Sequence, residues 1–286
     1  MKHTTGLVKL SGMIAVLMLF ALAFSLPMAQ ASGSRAQATI ESTDDATLDA
    51  TATAEPTPEP VDLAGGLKIE NKHTENHIDK PPLDERVDQP VMSGATGDTV
   101  DNFNKAVDDI VKNSVESFAN DEISAEATAT LPPDVGGGFS SFVYLSYEVL
   151  NGNTTSNIVS LKFNVGWYSR GAAHPNSYSV PLNYDLKSAK VIELANLFKP
   201  KANYVKVLSD YSTADLKKRD RLDFPEGALP DPNNFRSWNI TPDGLQITFD
   251  DYQVTPHAVG PQTVVVPYAT LKTLIDPAGP LAEFVK

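Results

Sequence analysis

Val159-Ser160-Leu161-Lys162-Phe163-Asn164-Val165-Gly166-Trp167 alternates apolar and polar side chains without a break. Alternation with period two points one row at a core and the other away from it, so this stretch reads as a strand. Upstream, Val143, Leu145, Tyr147 and Val149 alternate with Phe142, Tyr144, Ser146 and Glu148. Asn151-Gly152-Asn153 lies between the two runs and is a turn signal, which predicts an antiparallel hairpin. Downstream, 177–184 reads as a third strand with Tyr178, Val180, Leu182 and Tyr184 on one side.

The clearest helix is predicted over 101–118. Phe103, Val107, Ile110, Val111, Val115 and Phe118 recur there at helical spacing, and Asp98 or Thr99 can cap its start. A short strand is expected at 67–70, followed by a loop punctuated by Pro81-Pro82 and Pro90. Beyond the third strand come a helical turn at 193–198, a helix over 204–216 and a loop at 219–234. A second hairpin, 237–240 with 245–249, turns at Pro242-Asp243-Gly244. A strand at 263–266 leads into a closing helix that begins near Pro267. Helices and antiparallel hairpins interleave without a βαβ repeat, so the expected class is α+β, antiparallel sheets with packed helices.

The N-terminus reads differently. Lys2 and Lys9 are the only charges before an almost wholly apolar run over 13–26, and Ala29-Gln30-Ala31 follows. The run is about 14 residues, the length of a signal-peptide core and short of a bilayer span. Residues 1–31 are therefore expected to be a signal peptide, with an uncleaved anchor as the alternative, and no further run is long enough to span. Residues 32–66 are rich in Ala, Thr, Pro and acid, with one base, Arg35, among seven acidic residues. They read as a disordered linker that buries too little apolar surface to offset its ordering entropy. The expected organisation is thus 1–31 signal, 32–66 linker, 67–168 N-terminal α+β lobe and 169–286 C-terminal α+β domain.

Charge and cysteine count narrow the functions. The chain has 36 acidic and 23 basic residues, a formal net charge of −13, and removing 1–31 takes away two lysines and no acid. Phosphate polymers are repelled by such a surface, so nucleic acid is not an expected partner, whereas a cationic protein is electrostatically favoured. The same acidity also serves simply to keep an exported protein soluble. There is no cysteine, which excludes disulfides, a thiolate nucleophile and thiolate metal ligands.

Two segments carry candidate contact residues. One is Gly171-Ala172-Ala173-His174-Pro175-Asn176, between two strands. Gly171 reaches backbone angles closed to other residues, and Pro175 holds His174 extended. His174 then either contacts a partner from a stiff platform or only bonds neighbouring backbone. The other segment runs from Tyr252 through Pro256-His257 to Gly260-Pro261. His174 and His257 lie in no His-Glu-x-x-His pattern, and a stable helix through His73 and His77 is doubtful beside Pro81-Pro82, so no metal site is expected. Asp250 and Asp251 are adjacent, and in a strand they would point to opposite faces, unable to act together on one bond. With no Gly-x-Ser-x-Gly elbow and no phosphate-cradling glycine loop, neither a catalytic constellation nor a cofactor is expected.

These two segments, with Asn183-Tyr184-Asp185-Leu186 and Asp243-Gly244-Leu245, resemble a domain of unknown function. That domain is shared by lysozyme-sensing anti-sigma factors and some secreted peptidoglycan deacetylases, and the region about 101–167 looks like its smaller companion domain. The resemblance implies an extracytoplasmic, non-enzymatic binding module at the bacterial cell envelope. The partner it implies is a cationic protein such as lysozyme, or a wall component such as peptidoglycan. Binding is expected at Gly171, His174, Asn176, Tyr252, His257 and Gly260. Two departures limit the transfer: about twelve residues precede the apolar run, which leaves no room for a sigma-factor-binding domain, and no deacetylase metal motif is present. The alternative is an envelope hydrolase whose site lies near His174, Tyr252 and His257, which requires those three side chains to converge.

Overall fold

The computed structural model describes residues 58–128 and 140–285, all within one compact unit. The expected signal peptide, and the expected linker as far as residue 57, lie outside the described residues. The end of that linker does not stay extended: Leu63 is buried in the core, and Val61–Asp62 forms a first strand, β1. Val61 also packs against that core, and Val61–Asp62 pairs with Lys68 and Ile69 of the next strand.

Seven strands form one sheet in sequence order: β1, β2 (Lys68–Asp79), β3 (Pro82–Ser93), β4 (Ser141–Asn151), β5 (Ile158–Tyr168), β6 (Asn176–Asp185) and β7 (Lys190–Val191). All neighbours are antiparallel except β3 and β4, which run parallel. Between those two the chain crosses the sheet through α1 (Asp98–Val111), one π-helical turn (Lys112–Glu116) and α2 (Ser117–Thr128). A second sheet has the order β10 (Gln262–Pro267), β9 (Gly244–Phe249), β8 (Trp238–Ile240) and packs with α3 (Tyr204–Lys218) and the short α4 (Tyr268–Leu271). The protein is α+β, as its alternating strands and periodic helices predict. The boundary expected at 168/169 falls inside the large sheet, between β5 and β6, which pair from Ile158↔Asp185 to Trp167↔Asn176.

Each row of β5 has a distinct fate. Val159, Leu161, Phe163 and Val165 pack with Phe103 and Val107 of α1. At the centre, Phe103 meets Tyr184 edge-on with ring centroids 5.4 Å apart, and the Tyr184 hydroxyl donates to Thr99 O. Burial pushes the Tyr184 phenol up to about 12. The opposite row is not simply solvated. Ser160 is fully buried, because β8 lies across β5 and β6 at that end.

The junction is polar. The Ser160 hydroxyl donates to Asn183 Oδ1 (2.7 Å) and accepts from Asn239 Nδ2 (3.0 Å) and the Ile240 N–H (3.1 Å). Asn183 Oδ1 also accepts from the Ile240 N–H, and its amide donates to Trp238 O (2.9 Å). Asn239 Nδ2 reaches Leu161 O at 2.8 Å. Two sheets are thus joined through groups that burial would penalise if left unpaired.

Two local expectations are corrected. The predicted short strand and proline-punctuated loop form instead a twelve-by-twelve-residue hairpin, β2 with β3, turning at Lys80-Pro81. Most of β2 is polar on both rows, so no alternation marks it. Pro90 is tolerated because β3 pairs with β4 only from Leu83 to Val87, and Pro90 lies beyond that stretch. The helix begins at Asp98 behind Gly97, with no side-chain cap: Asp98 is already in the first turn, and Thr99 Oγ1 donates to Leu186 O. His73 and His77 lie on a strand, each bound to carboxylates of the hairpin.

Asn183→Ala would leave Trp238 O without its donor and the Ser160 hydroxyl without its acceptor, and would leave the Ile240 N–H only its longer bond to Ser160. It is expected to destabilise the protein by about 3 kcal/mol, read as a lower midpoint in chemical denaturation with an unchanged slope.

The hairpin should also respond to pH. Bonds from Asp88 and Glu75 raise the pKa of His73, and a bond from Asp84 raises that of His77, above the ordinary 6.5. Their contribution is complete below 6.5 and fades as pH rises through the raised values. Burial alone would push Asp88 up, but bonds from Asn71 and His73 outweigh it and hold it below 3.8, so its contribution is lost as pH falls through that lowered value. Amide protection in β2 and β3 is therefore expected to peak between these limits, and His73→Gln should flatten the decline on the alkaline side. A flat profile in the unsubstituted protein would contradict this account.

Candidate functional site

Two loops meet at one end of the second sheet. The first, 169–175, joins β5 to β6; the second, 250–261, joins β9 to β10. In the first, Gly171 (φ 90°) takes the left-handed turn, and the Ala172 N–H donates to Ser169 O. In the second, Gly260 (φ 78°) closes a helical turn over His257–Val259, and its carbonyl accepts from Thr255 Oγ1 and Gln262 Nε2.

Adjacent carboxylates clip the second loop to β6. Asp250 Oδ1 accepts from the Ser179 N–H at 2.9 Å, and Asp251 Oδ2 from the Ser177 hydroxyl at 2.8 Å. The expected opposition of the two carboxylates fails because β9 ends at Phe249. Both residues lie in the following turn, where alternation no longer holds, and both reach the same strand. Burial pushes the Asp250 carboxyl up, opposed by the Ser179 N–H and Arg236, whose Nη2 is 3.4 Å from Asp250 Oδ2.

The clip brings three rings together. His174 and His257 stack with centroids 4.4 Å apart at 20°, and Tyr252 lies 5.5 Å from His257 at 15°. His174 Nδ1 is 2.8 Å from Pro175 O, which can only accept, so this nitrogen carries the proton. Nε2 is then the acceptor for the Tyr252 hydroxyl at 3.2 Å. His174 thus both bonds neighbouring backbone and faces the second loop. His257 Nδ1 lies 3.3 Å from Asp251 Oδ2, but the geometry is not that of a hydrogen bond, and Asp251 Oδ1 is buried with no partner.

Of the six residues singled out in the sequence, His174, Tyr252 and His257 form this cluster. Gly171 and Gly260 shape the loops behind it. Asn176 opens β6 opposite Trp167, two residues from His174. Sequence reasoning did not find Ser177, Ser179, Asp250 or Asp251 as positioning residues. The one available signal was the Asp-Asp-Tyr run at a strand end. Among the described residues, no three His, Cys, Asp or Glu side chains gather to hold a metal ion.

Tyr252 is the unusual member. Its φ is +62°, a region costly for a bulky side chain, yet it is 52% exposed and so gains little from burial. Among the described residues it is the only aromatic one with positive φ.

Comparison with known proteins agrees with the resemblance drawn from the two loops. Residues 195–269 match a family described as a protein of unknown function, DUF3298. The match includes Tyr252, His257 and Gly260 and stops short of the Gly171–Asn176 loop. The chain is 30% identical over 122 residues to the peptidoglycan-N-acetylmuramic acid deacetylase PdaC of Bacillus subtilis, covering 41% of this chain. It spans about a quarter (26%) of that protein's length. A crystal structure of a DUF3298 member from Bacteroides fragilis superposes with a TM-score of 0.59 at 16% identity, over 78% of this chain and 99% of that one. Another from Pseudomonas aeruginosa gives 0.51 at 15%, over 78% and 96%. At such identities the likeness establishes the fold.

Tyr252→Gly removes the backbone strain and little buried surface. It is expected to raise stability by about 1 kcal/mol while abolishing the ring cluster. A stability loss of that size in thermal unfolding would show that the ring packs more than it strains.

Proposed function

We propose that this protein is a non-enzymatic binding module of the bacterial cell envelope, acting outside the cytoplasm. It docks a cationic protein, such as lysozyme, on the ring platform of His174, Tyr252 and His257. The observation that carries this reading is the convergence of two separate loops into one partly exposed ring cluster held at a strained tyrosine. Strain at an exposed position is kept when function requires the side chain there. An aromatic face attracts a lysine or arginine side chain, and the Asp251 carboxylate lies beneath with one unpartnered oxygen. The formal charge of −13 favours encounter with a basic surface. Among the described residues no helix is long and apolar enough to cross a membrane. The relative named for peptidoglycan supports an envelope setting, and so does the sequence of 1–31.

The Tyr252–His174 contact favours a second reading, an envelope hydrolase using this pair for proton transfer. Against it, the Ser177 hydroxyl already donates to Asp251, and Asp250 is engaged by Ser179 and Arg236. No group in the cluster is left as an activated nucleophile.

Immobilised lysozyme is expected to retain the protein at physiological ionic strength, and Tyr252→Ala should weaken retention about tenfold. Retention that vanishes once salt screens exposed charge would reduce the interaction to non-specific attraction and defeat the reading. Retention on peptidoglycan alone would replace the cationic protein with a wall polymer. Release of soluble fragments from peptidoglycan, abolished by His174→Ala, would establish the hydrolase instead.

A further inference from the structure

The outer face of the large sheet is covered by β8 only at the Ser160–Asn183 end. Further along, the 250–261 loop meets β6 at Ser177 and Ser179, while the face stays open over β3, β4 and β5, and the register lays side chains out in rows. One row is Arg86, Tyr144, Gly166 and Ser177 on β3, β4, β5 and β6. The next places Ser146, Asn164 and Ser179 side by side on β4, β5 and β6. Between β3, β4 and β5 lies a groove of ≈ 450 Å³ bordered by Arg86, Asp88, Tyr144, Ser146 and Asn164. That volume is within the range of small-ligand sites.

Gly166 gives the groove its floor. A Cβ there would sit 2.2 Å from Tyr144 Cζ and 2.4 Å from its hydroxyl oxygen, so the Tyr144 ring lies flat across the backbone of β5. The ring is 41% exposed. Phe142 stacks on both Tyr144 and Tyr168 and keeps the ring in this orientation.

The polar border is built rather than loose. Asp88 is 9% exposed, and one of its oxygens accepts from Asn71 Nδ2 at 2.8 Å and pairs with His73 Nδ1 at 2.8 Å. Its other oxygen is 4.0 Å from Arg86 Nε, too long for a hydrogen bond, so the Arg86 fork retains its donors. Asn164 is oriented by its amide bond to Glu148 Oε1, which leaves the carbonyl as an acceptor.

We propose that this groove binds an uncharged, unbranched saccharide chain. A sugar ring has a flat C–H face that packs against the negative face of an aromatic ring, and a rim of hydroxyls that both donate and accept. Tyr144 supplies the flat face; Arg86, Asp88, Ser146 and Asn164 supply donors and acceptors at its edge. The Arg86 and Asp88 charges cancel, which suits a neutral ligand, and the net charge of the chain disfavours a polyanion. Beyond Gly166 the row meets Ser177, whose hydroxyl is held by Asp251, so the ligand lies over β3, β4 and β5 and stops short of β6. This inference stands on different residues from the ring platform and does not depend on a protein partner binding there.

The test is calorimetric titration of the full chain with two neutral probes, cellohexaose and N-acetylchitohexaose. At least one is expected to bind, and Tyr144→Ala should weaken it about tenfold, about 1.4 kcal/mol. Gly166→Ala keeps every polar group but lifts the Tyr144 ring from the strand, and should weaken binding to a similar degree with little change in unfolding midpoint. Tyr252→Ala should leave saccharide affinity unchanged. Should Tyr144→Ala disturb the fold, Gly166→Ala decides. Absence of binding by both probes at millimolar concentration overturns the proposal. So does affinity that stays within about twofold in both groove variants.

Discussion

Two sheets that share no strand are set in register by a buried polar junction. Ser160 and Asn183 sit on neighbouring strands of the large sheet, and Asn239 and Ile240 meet them from β8. Apolar surfaces would join the sheets in many registers, because hydrophobic contact has no direction. The Asn183 amide admits one arrangement: its oxygen takes Ser160 and the Ile240 N–H while its nitrogen reaches Trp238 O. Registration of the second sheet follows from that geometry.

The open and covered parts of the sheet derive from the same contact. Where β8 lies down, the polar row of β5 is buried and satisfied. Beyond it the face is free over β3, β4 and β5, and the β9–β10 loop comes to rest on β6, where Asp250 and Asp251 grip Ser179 and Ser177. Those two bonds set the distance between the loops, so that His174 and His257 stack instead of pointing separately into solvent. The strained Tyr252 backbone is the local cost of aiming its ring at them, offset by the rigidity of the clip on either side.

Much of the architecture is legible in the pattern of residue types. Strands β4, β5 and β6 are half-buried, so burial writes period two into their composition, and the stripe of Phe103 and Val107 on α1 and Val115 on the π-helical turn is helical for the same reason. The β2–β3 hairpin is not legible, since polar residues occupy both of its rows and its stabilising pairs, such as His73 with Asp88, are cross-strand. Its prolines mislead in the usual sense of the rule, because proline opposes a paired strand only where a partner needs its missing N–H. The helix starts three residues earlier than predicted, at Asp98 behind Gly97: a capping residue type is only a propensity, and Thr99 found Leu186 O instead.

The candidate residues show the same division. Gly171, His174, Tyr252, His257 and Gly260 could be named from the sequence because glycine and proline constrain the chain locally. Local stiffness says nothing about which loops face each other. The sequence alone determined most of the elements outside the β2–β3 hairpin, the two turn-forming loops, the acidity and the absence of thiol chemistry, all of which depend on residues near in the chain. Only the tertiary structure decided that 174 meets 252 and 257, and that Tyr144 lies across Gly166. Contacts between residues tens of positions apart depend on strand order and register, which no local pattern encodes.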